Sequence, residues 1–185
     1  MPIPHTAPKI SHQRPKCLAY LSAINSALNL RPDEPLYLIR HSDLSAKIAL
    51  YYQEKNDSIQ TEKYAKVALK NLDYLLRHHP YDVNLLKQTA QVYLYLATAD
   101  KQYYQTAINV IRQATALAPT DAKSFYVLAK VYEMAGQTDL AIANYQQAVS
   151  LKPNYDHAYF ELGRQAFLSK DYRQAKQYFQ QVLTI

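Results

Sequence analysis

Lys63, Lys66, Lys70 and Arg77 recur at helical spacing, so these cations share one face opposite Ala68, Leu72 and Leu75. Such a stripe has the chemistry to bind phosphate or an acidic surface. Glu62 and Asp73 stand four residues before Lys66 and Arg77 and compensate part of it. The stripe therefore reads first as a solvated outer face. Other reactive side chains carry less. His5, His12, His41, His157 and the adjacent His78 and His79 show no ligand spacing on a common helix face. His78 and His79 end a helix, where a cation favours the dipole. Cys17 is alone, which rules out an internal disulfide and makes it a small buried residue of the first helix. Gly136 and Gly163 are the only glycines, which excludes a phosphate-cradling glycine-rich loop. Neither a Gly-x-Ser-x-Gly elbow nor a His-Glu-x-x-His pair occurs. These residues predict no catalytic centre, no cofactor and no metal site, and the chain reads as a non-enzyme.

The elements that must position such residues are written as one pattern three times. Phe125, Leu128, Ala129 and Tyr132 are followed by Ala141, Tyr145 and Ala148, then Pro153. Tyr159, Leu162, Gly163 and Ala166 are followed by Ala175, Phe179 and Val182. Leu86, Thr89, Ala90 and Tyr93 are followed by Ala107, Ile111 and Ala114, then Pro119. The step from Pro119 to Pro153 is 34 residues, and the whole resembles the tetratricopeptide (TPR) repeat. That resemblance implies an all-α, right-handed superhelical solenoid of antiparallel helix pairs, in which each pair buries its apolar stripe against the next. Closely crossing helices admit only small side chains, which accounts for Ala90, Ala129 and Gly163 on the first helices and Ala107, Ala141 and Ala175 on the second. Pro80, Pro119 and Pro153 discourage the preceding helix from running on. Asp82, Asp121 and Asp156 follow as expected caps, and Gly136 as a left-handed helix end.

The same register exposes irregular units. Pro80 to Pro119 is 39 residues, with the surplus expected in the turn at Ala97–Lys101. Pro32 to Pro80 is 48, with a recognisable second helix at Ala68, Leu72 and Leu75. Its first helix, about 34–54, is weak, since Leu38, His41, Ser42 and Ser45 hold the signature places. Tyr20, Ile24 and Ala27 before Pro32 look like a second helix without a first. The expected organisation is thus a disordered leader or linker at 1–15 and a repeat domain at 16–185. That domain divides into a lone helix 16–31, a degenerate unit 32–80, and units 81–119, 120–153 and 154–185, about nine helices in all.

The composition is that of an ordinary soluble chain, 49% apolar and 19% charged. The formal charge of +6 is spread along both halves, so no nucleic-acid partner is expected. The N-terminal segment is neither a secretory signal nor a membrane span, and a cytoplasmic location is favoured.

In the resembled family the first helices line a concave face. Carried over, this places Asn84, Lys87, Gln91 and Tyr95 in a ligand groove, with Lys123, Tyr126, Lys130 and Glu133 from the next unit and His157, Phe160, Arg164 and Phe167 from the last. The inventory is amphipathic and net basic, and suits a protein or peptide partner with acidic and apolar residues; its tyrosines would also suit sugar rings. Reversing Lys87, Lys123 and Lys130 to Glu is expected to weaken such a partner while leaving the melting temperature nearly unchanged. The carboxylate-clamping subfamily does not fit, because Val127, His157 and Glu161 stand where Asn, Lys and Arg should be. Asn29–Tyr37, the enlarged turn from Leu96 to Tyr103 and Ala118–Lys123 together resemble the soluble tails of bacterial O-antigen ligase or polymerase-like membrane proteins. This second resemblance, covering roughly 20–185, implies an accessory role in surface polysaccharide assembly, with membrane attachment only through an upstream segment absent here. Finally, Tyr178, Phe179, Val182 and Leu183 on the last helix are expected to mediate homo-oligomer formation, because no polar helix covers them.

Overall fold

A computed structural model describes residues 14–185, with side chains from residue 19 onward. The expected leader, His5, His12 and the side chain of Cys17 lie outside the described residues. Among these there are nine α-helices and no strand: α1 (Arg14–Leu30), α2 (Pro35–Glu54), α3 (Ser58–His78), α4 (Val83–Ala97), α5 (Gln102–Leu117), α6 (Ala122–Met134), α7 (Thr138–Leu151), α8 (Asp156–Leu168) and α9 (Tyr172–Thr184). None of them is long and apolar enough to cross a membrane. The chain divides into two compact units, one reaching to Pro80 and including Tyr95–Lys101, the other of Tyr81–Leu94 with Gln102–Ile185.

In the first unit α2 packs against α1 and α3. Pro35 opens α2, where its missing N–H is no loss. Leu21 of α1 and Ile48 of α2 are buried, packed by Leu44, Tyr52 and Tyr64. Tyr52 and Tyr64 stack at 5.8 Å. Ser42 fills the place that alanine or glycine holds elsewhere. It is fully buried, and its hydroxyl donates to Leu38 O at 2.9 Å, with Ala68 O of the facing helix at 3.4 Å. Helices α2 and α3 run 20 and 21 residues, against 13 and 14 in α6 and α7, while the turn between them is unchanged. All of the extra length is two further turns on each helix.

In the second unit α6 pairs with α7 and α8 with α9, while α5 meets α6 and α7 meets α8. Ala90, Ala107, Ala129 and Ala141 are fully buried and Ala175 nearly so. Between neighbouring hairpins, Ala122, Ala148, Tyr155 and Ala158 form a buried cluster that Phe125, Tyr126, Val149 and Leu151 complete. The surplus of the unit starting at α4 lies mostly outside the turn, contrary to expectation. α4 has 15 residues against 13 in α6, and α5 has 16 against 14 in α7. The turn at 98–101 is longer by a single residue than that at 135–137.

Two of the expected caps form. Asp82 accepts from Asn84 N and Leu85 N at 2.9 and 3.0 Å, and Asp121 from Lys123 N at 3.2 Å. Asp57 and Asp171 do the same for α3 and α9. Asp156 departs from expectation. Tyr155 is the cap residue, with no side-chain bond, and Asp156 is already inside the first turn, accepting from His157 N. The three hairpins with a three-residue turn share one closure. Asp57 N, Gln137 N and Asp171 N reach back to Tyr52 O, Tyr132 O and Ala166 O at 2.8–2.9 Å. The residue before each is left-handed: Asn56 (φ 56°), Gly136 (φ 78°) and Lys170 (φ 66°).

Two outcomes test this geometry. Lys170→Gly should stabilise the chain by up to about 1 kcal/mol in thermal denaturation, since a β-carbon is strained there. A β-carbon at Gly163 would lie 2.6 Å from the Phe179 ring, so Gly163→Ala should cost about 1–3 kcal/mol, with recovery in the double variant carrying Phe179→Leu.

Candidate functional site

The groove positions of α6 and α8 are one helical turn apart along each helix, which puts Lys130 and Glu133 on α6 beside Glu161 and Arg164 on α8. Both pairs interlock. Lys130 Nζ donates to Glu161 Oε1 at 3.0 Å, and Arg164 Nε to Glu161 Oε2 at 2.7 Å. Arg164 also bonds Glu133 through a terminal guanidinium nitrogen. The other Glu133 oxygen accepts from the Tyr145 hydroxyl at 2.7 Å and has Lys130 Nζ at 3.8 Å. The Glu133 and Glu161 side chains are only 7% and 11% exposed. Carboxylates buried to this degree are tolerable only when matched by cations and hydrogen bonds, and here each cation is matched by an acid. One unit earlier, Lys87 Nζ lies 2.6 Å from Asp121 Oδ2, and Ser124 Oγ donates to the same oxygen at 2.7 Å.

The electrostatics follow. Burial alone would raise the Glu161 carboxyl, but bonds and charges from Arg164 and Lys130 outweigh it and hold the group below its ordinary value. Asp121 behaves alike, its burial overcome by Lys87, Ser124 and the Lys123 N–H. Tyr145 is pushed far above the usual phenol range by burial and then by Glu133. Tyr126 is pushed up to about 12, again by burial first and then by Glu161. Its half-buried ring sits 5.3–6.5 Å from the rings of Tyr145, Tyr155 and His157.

The expected groove residues thus divide. Lys87, Lys130, Glu133 and Arg164, placed in the groove by the sequence, have internal partners. They tie neighbouring hairpins together, and three of the four groove cations, Lys87, Lys130 and Arg164, are matched by Asp121, Glu133 and Glu161. Asn84, Gln91, Lys123 and His157 are exposed. Phe160 and Phe167 are half exposed, at 51% and 54%, resting against Phe179 and Tyr172. Tyr95 belongs with the first unit, where Lys47 Nζ lies 5.3 Å above its ring. Of the last-helix residues, Phe179 covers Gly163, Tyr178 leans on Tyr159 at 6.3 Å, Val182 is half-buried, and Leu183 is 87% exposed. Sequence reasoning missed Asp121, Tyr145 and Glu161 as members of the network. Opposite charges spaced 31 or 34 residues apart were the available signal, since one repeat separates such positions in space.

Comparison with known proteins agrees with this architecture. Residues 134–164 match the TPR repeat family, and residues 156–185 match the tetratricopeptide repeat family. Comparison with curated protein sequences finds no match. Among solved structures, the chain is similar to TTC0263, a thermophilic TPR protein in Thermus thermophilus, with a TM-score of 0.70 and 20% identity over 94% of this chain and 84% of that one. It is also similar to PilW, a type IV pilus biogenesis factor, with a TM-score of 0.65 and 17% identity over 95% and 73%. MamA from Desulfovibrio magneticus RS-1 gives a TM-score of 0.63 and 22% identity over 93% and 86%. At these identities the likeness establishes the fold, all-α and TPR-like.

The ion pairs reverse the expectation for the lysine variants. Lys130→Glu sets an acid against the nearly buried Glu161 and Lys87→Glu one against the partly buried Asp121, so the triple reversal should lower the melting temperature by at least about 4 °C, whereas Lys123→Glu alone should leave it within about 1 °C. Depressed carboxyls stabilise the fold above their unfolded values, so stability should fall as pH drops from about 5 through the folded values of Asp121 and Glu161. Raised phenols act oppositely, and stability should fall as pH climbs above about 10. Melting curves across pH check both limbs, and Glu161→Gln should flatten the acid one.

Proposed function

We propose that this chain is a non-catalytic binding scaffold that holds an amphipathic segment of another protein against α6 and α8 of its second unit. The observation that carries this reading is the exposure of Phe160, Phe167 and His157 beside a fixed, internally neutralised floor of ion pairs. Rings held out on a rigid helix lose little freedom on binding, and aromatic side chains supply most of the energy of such contacts. Charges already satisfied within the scaffold favour a partner chosen by apolar and hydrogen-bonding surface more than by acidity, with Lys123, Asn84 and Gln91 as the polar rim. Glu161 is an ionised, doubly bonded structural acid, which supports the non-enzyme reading.

A role as the tail of a polysaccharide-assembly membrane protein gains no support from the similar structures above. Self-association through α9 rests on Leu183 and the half-buried Val182, since the rings of Tyr178 and Phe179 have neighbours of their own. Sedimentation at rising concentration, with Leu183→Glu as the comparison, decides that property.

Selection from a random-peptide library against the whole chain tests the groove. Peptides recovered should lose roughly fivefold or more in affinity with each of Phe167→Ser and His157→Ser, at unchanged melting temperature, and be indifferent to Lys176→Ser on α9. Peptides indifferent to both groove variants would mean that recognition lies elsewhere.

A further inference from the structure

The first unit holds an open cleft of about 320 Å³ between α1, α2 and α3, near the small end of the roughly 300–1,000 Å³ that small-molecule sites occupy. Leu28 of α1 and Leu38 of α2 make its wall apolar. Asp33, His41, Lys70 and Tyr74 bring polar groups to the same space from the α1–α2 connection, α2 and α3. Neither the groove of the second unit nor the repeat architecture calls for this combination.

Neighbouring side chains set the chemistry of these groups. Asn71 Nδ2 lies 2.8 Å from His41 Nδ1. An amide nitrogen only donates, so Nδ1 accepts and the imidazole proton sits on Nε2. Burial lowers the pKa of His41 and keeps the ring neutral at pH 7. It therefore offers a single N–H donor. The Tyr74 phenol is raised first by partial desolvation and then by the Asp33 carboxylate. Asp33 and Lys70 line the same cleft without closing an ion pair on each other.

Two opposite charges held apart, one neutral donor and an apolar wall complement a molecule carrying both charges and an apolar body. We infer that the cleft binds a zwitterionic α-amino acid with an apolar side chain. Lys70 and the His41 Nε2–H take its carboxylate, Asp33 takes its ammonium, and Leu28 and Leu38 take its side chain. A simple anion would leave Asp33 facing it, and a simple hydrocarbon would cover both charges without pairing either.

Titration of the whole chain with L-leucine and with L-phenylalanine, followed by proton–nitrogen imidazole spectra, tests this. A saturable shift of the His41 ring is expected with one of them, at a Kd of about 1 mM or tighter. Isocaproate and isoamylamine each lack one charge of leucine and should bind about ten- to a hundredfold more weakly. Asp33→Asn and Lys70→Met change exposed side chains and should keep the helical circular dichroism. The first should remove the preference for leucine over isocaproate, and the second the preference over isoamylamine. The inference is overturned if neither amino acid shifts His41 saturably up to about 10 mM, or if isocaproate binds as tightly as leucine.

Discussion

Two helices joined by a three-residue turn can lie together only where something small stands at their crossing. Ser42 against Ala68, Ala129 with Ala141, and Gly163 beneath Phe179 are three chemical answers to that one steric demand. The serine is admissible because its hydroxyl is satisfied by backbone carbonyls, so the polar atom does not carry an unpaired desolvation penalty. Once the crossing and the turn are fixed, helix length is free to vary, provided both partners change together. α2 and α3 each gain two turns relative to α6 and α7, and α4 and α5 each gain two residues. A one-sided extension would leave an apolar stripe without a partner.

Between hairpins of the second unit the demand is electrostatic as well as steric. The face that a groove reading treats as open is closed for all its charges but Lys123 by the next repeat. Glu133 and Glu161 sit where water is largely excluded, so the interface has to contain equal numbers of opposite charges, and Tyr145 contributes a neutral donor. What remains for a partner is the set of side chains that no neighbouring repeat can reach.

Much of the fold was legible because repeat spacing reports core duties directly: Ala129, Ala141, Tyr145 and Ala148 are buried as their places require. Asp82 and Asp121 were legible as caps for the same local reason. Asp156 was not, because Tyr155 is drawn into the inter-hairpin cluster and starts the helix one residue earlier than the aspartate would. The site was less legible than the fold. A lysine at a groove position looks identical in sequence whether it meets solvent, as Lys123 does, or an acid one repeat on, as Lys87 and Lys130 do. Which of these holds depends on the offset between helices in adjacent units, and a single repeat does not encode it. The cleft around His41 was invisible for a related reason, since its residues come from three elements and no local spacing links them.

Asp121 has a part in two elements at once. One oxygen receives the Lys123 N–H in the first turn of α6, while the other holds Lys87 of α4 and the Ser124 hydroxyl. The start of one repeat is thereby fastened to the first helix of the repeat before it. In a one-dimensional array, cooperativity is the strength of such nearest-neighbour terms relative to the stability of each repeat alone. When α4 fluctuates away, α6 loses the orientation of its cap, and its first amides open to exchange with solvent in the same event. Amide protons that are distant in sequence then share one opening free energy and unfold as a single block, where an array with separate caps would fray repeat by repeat.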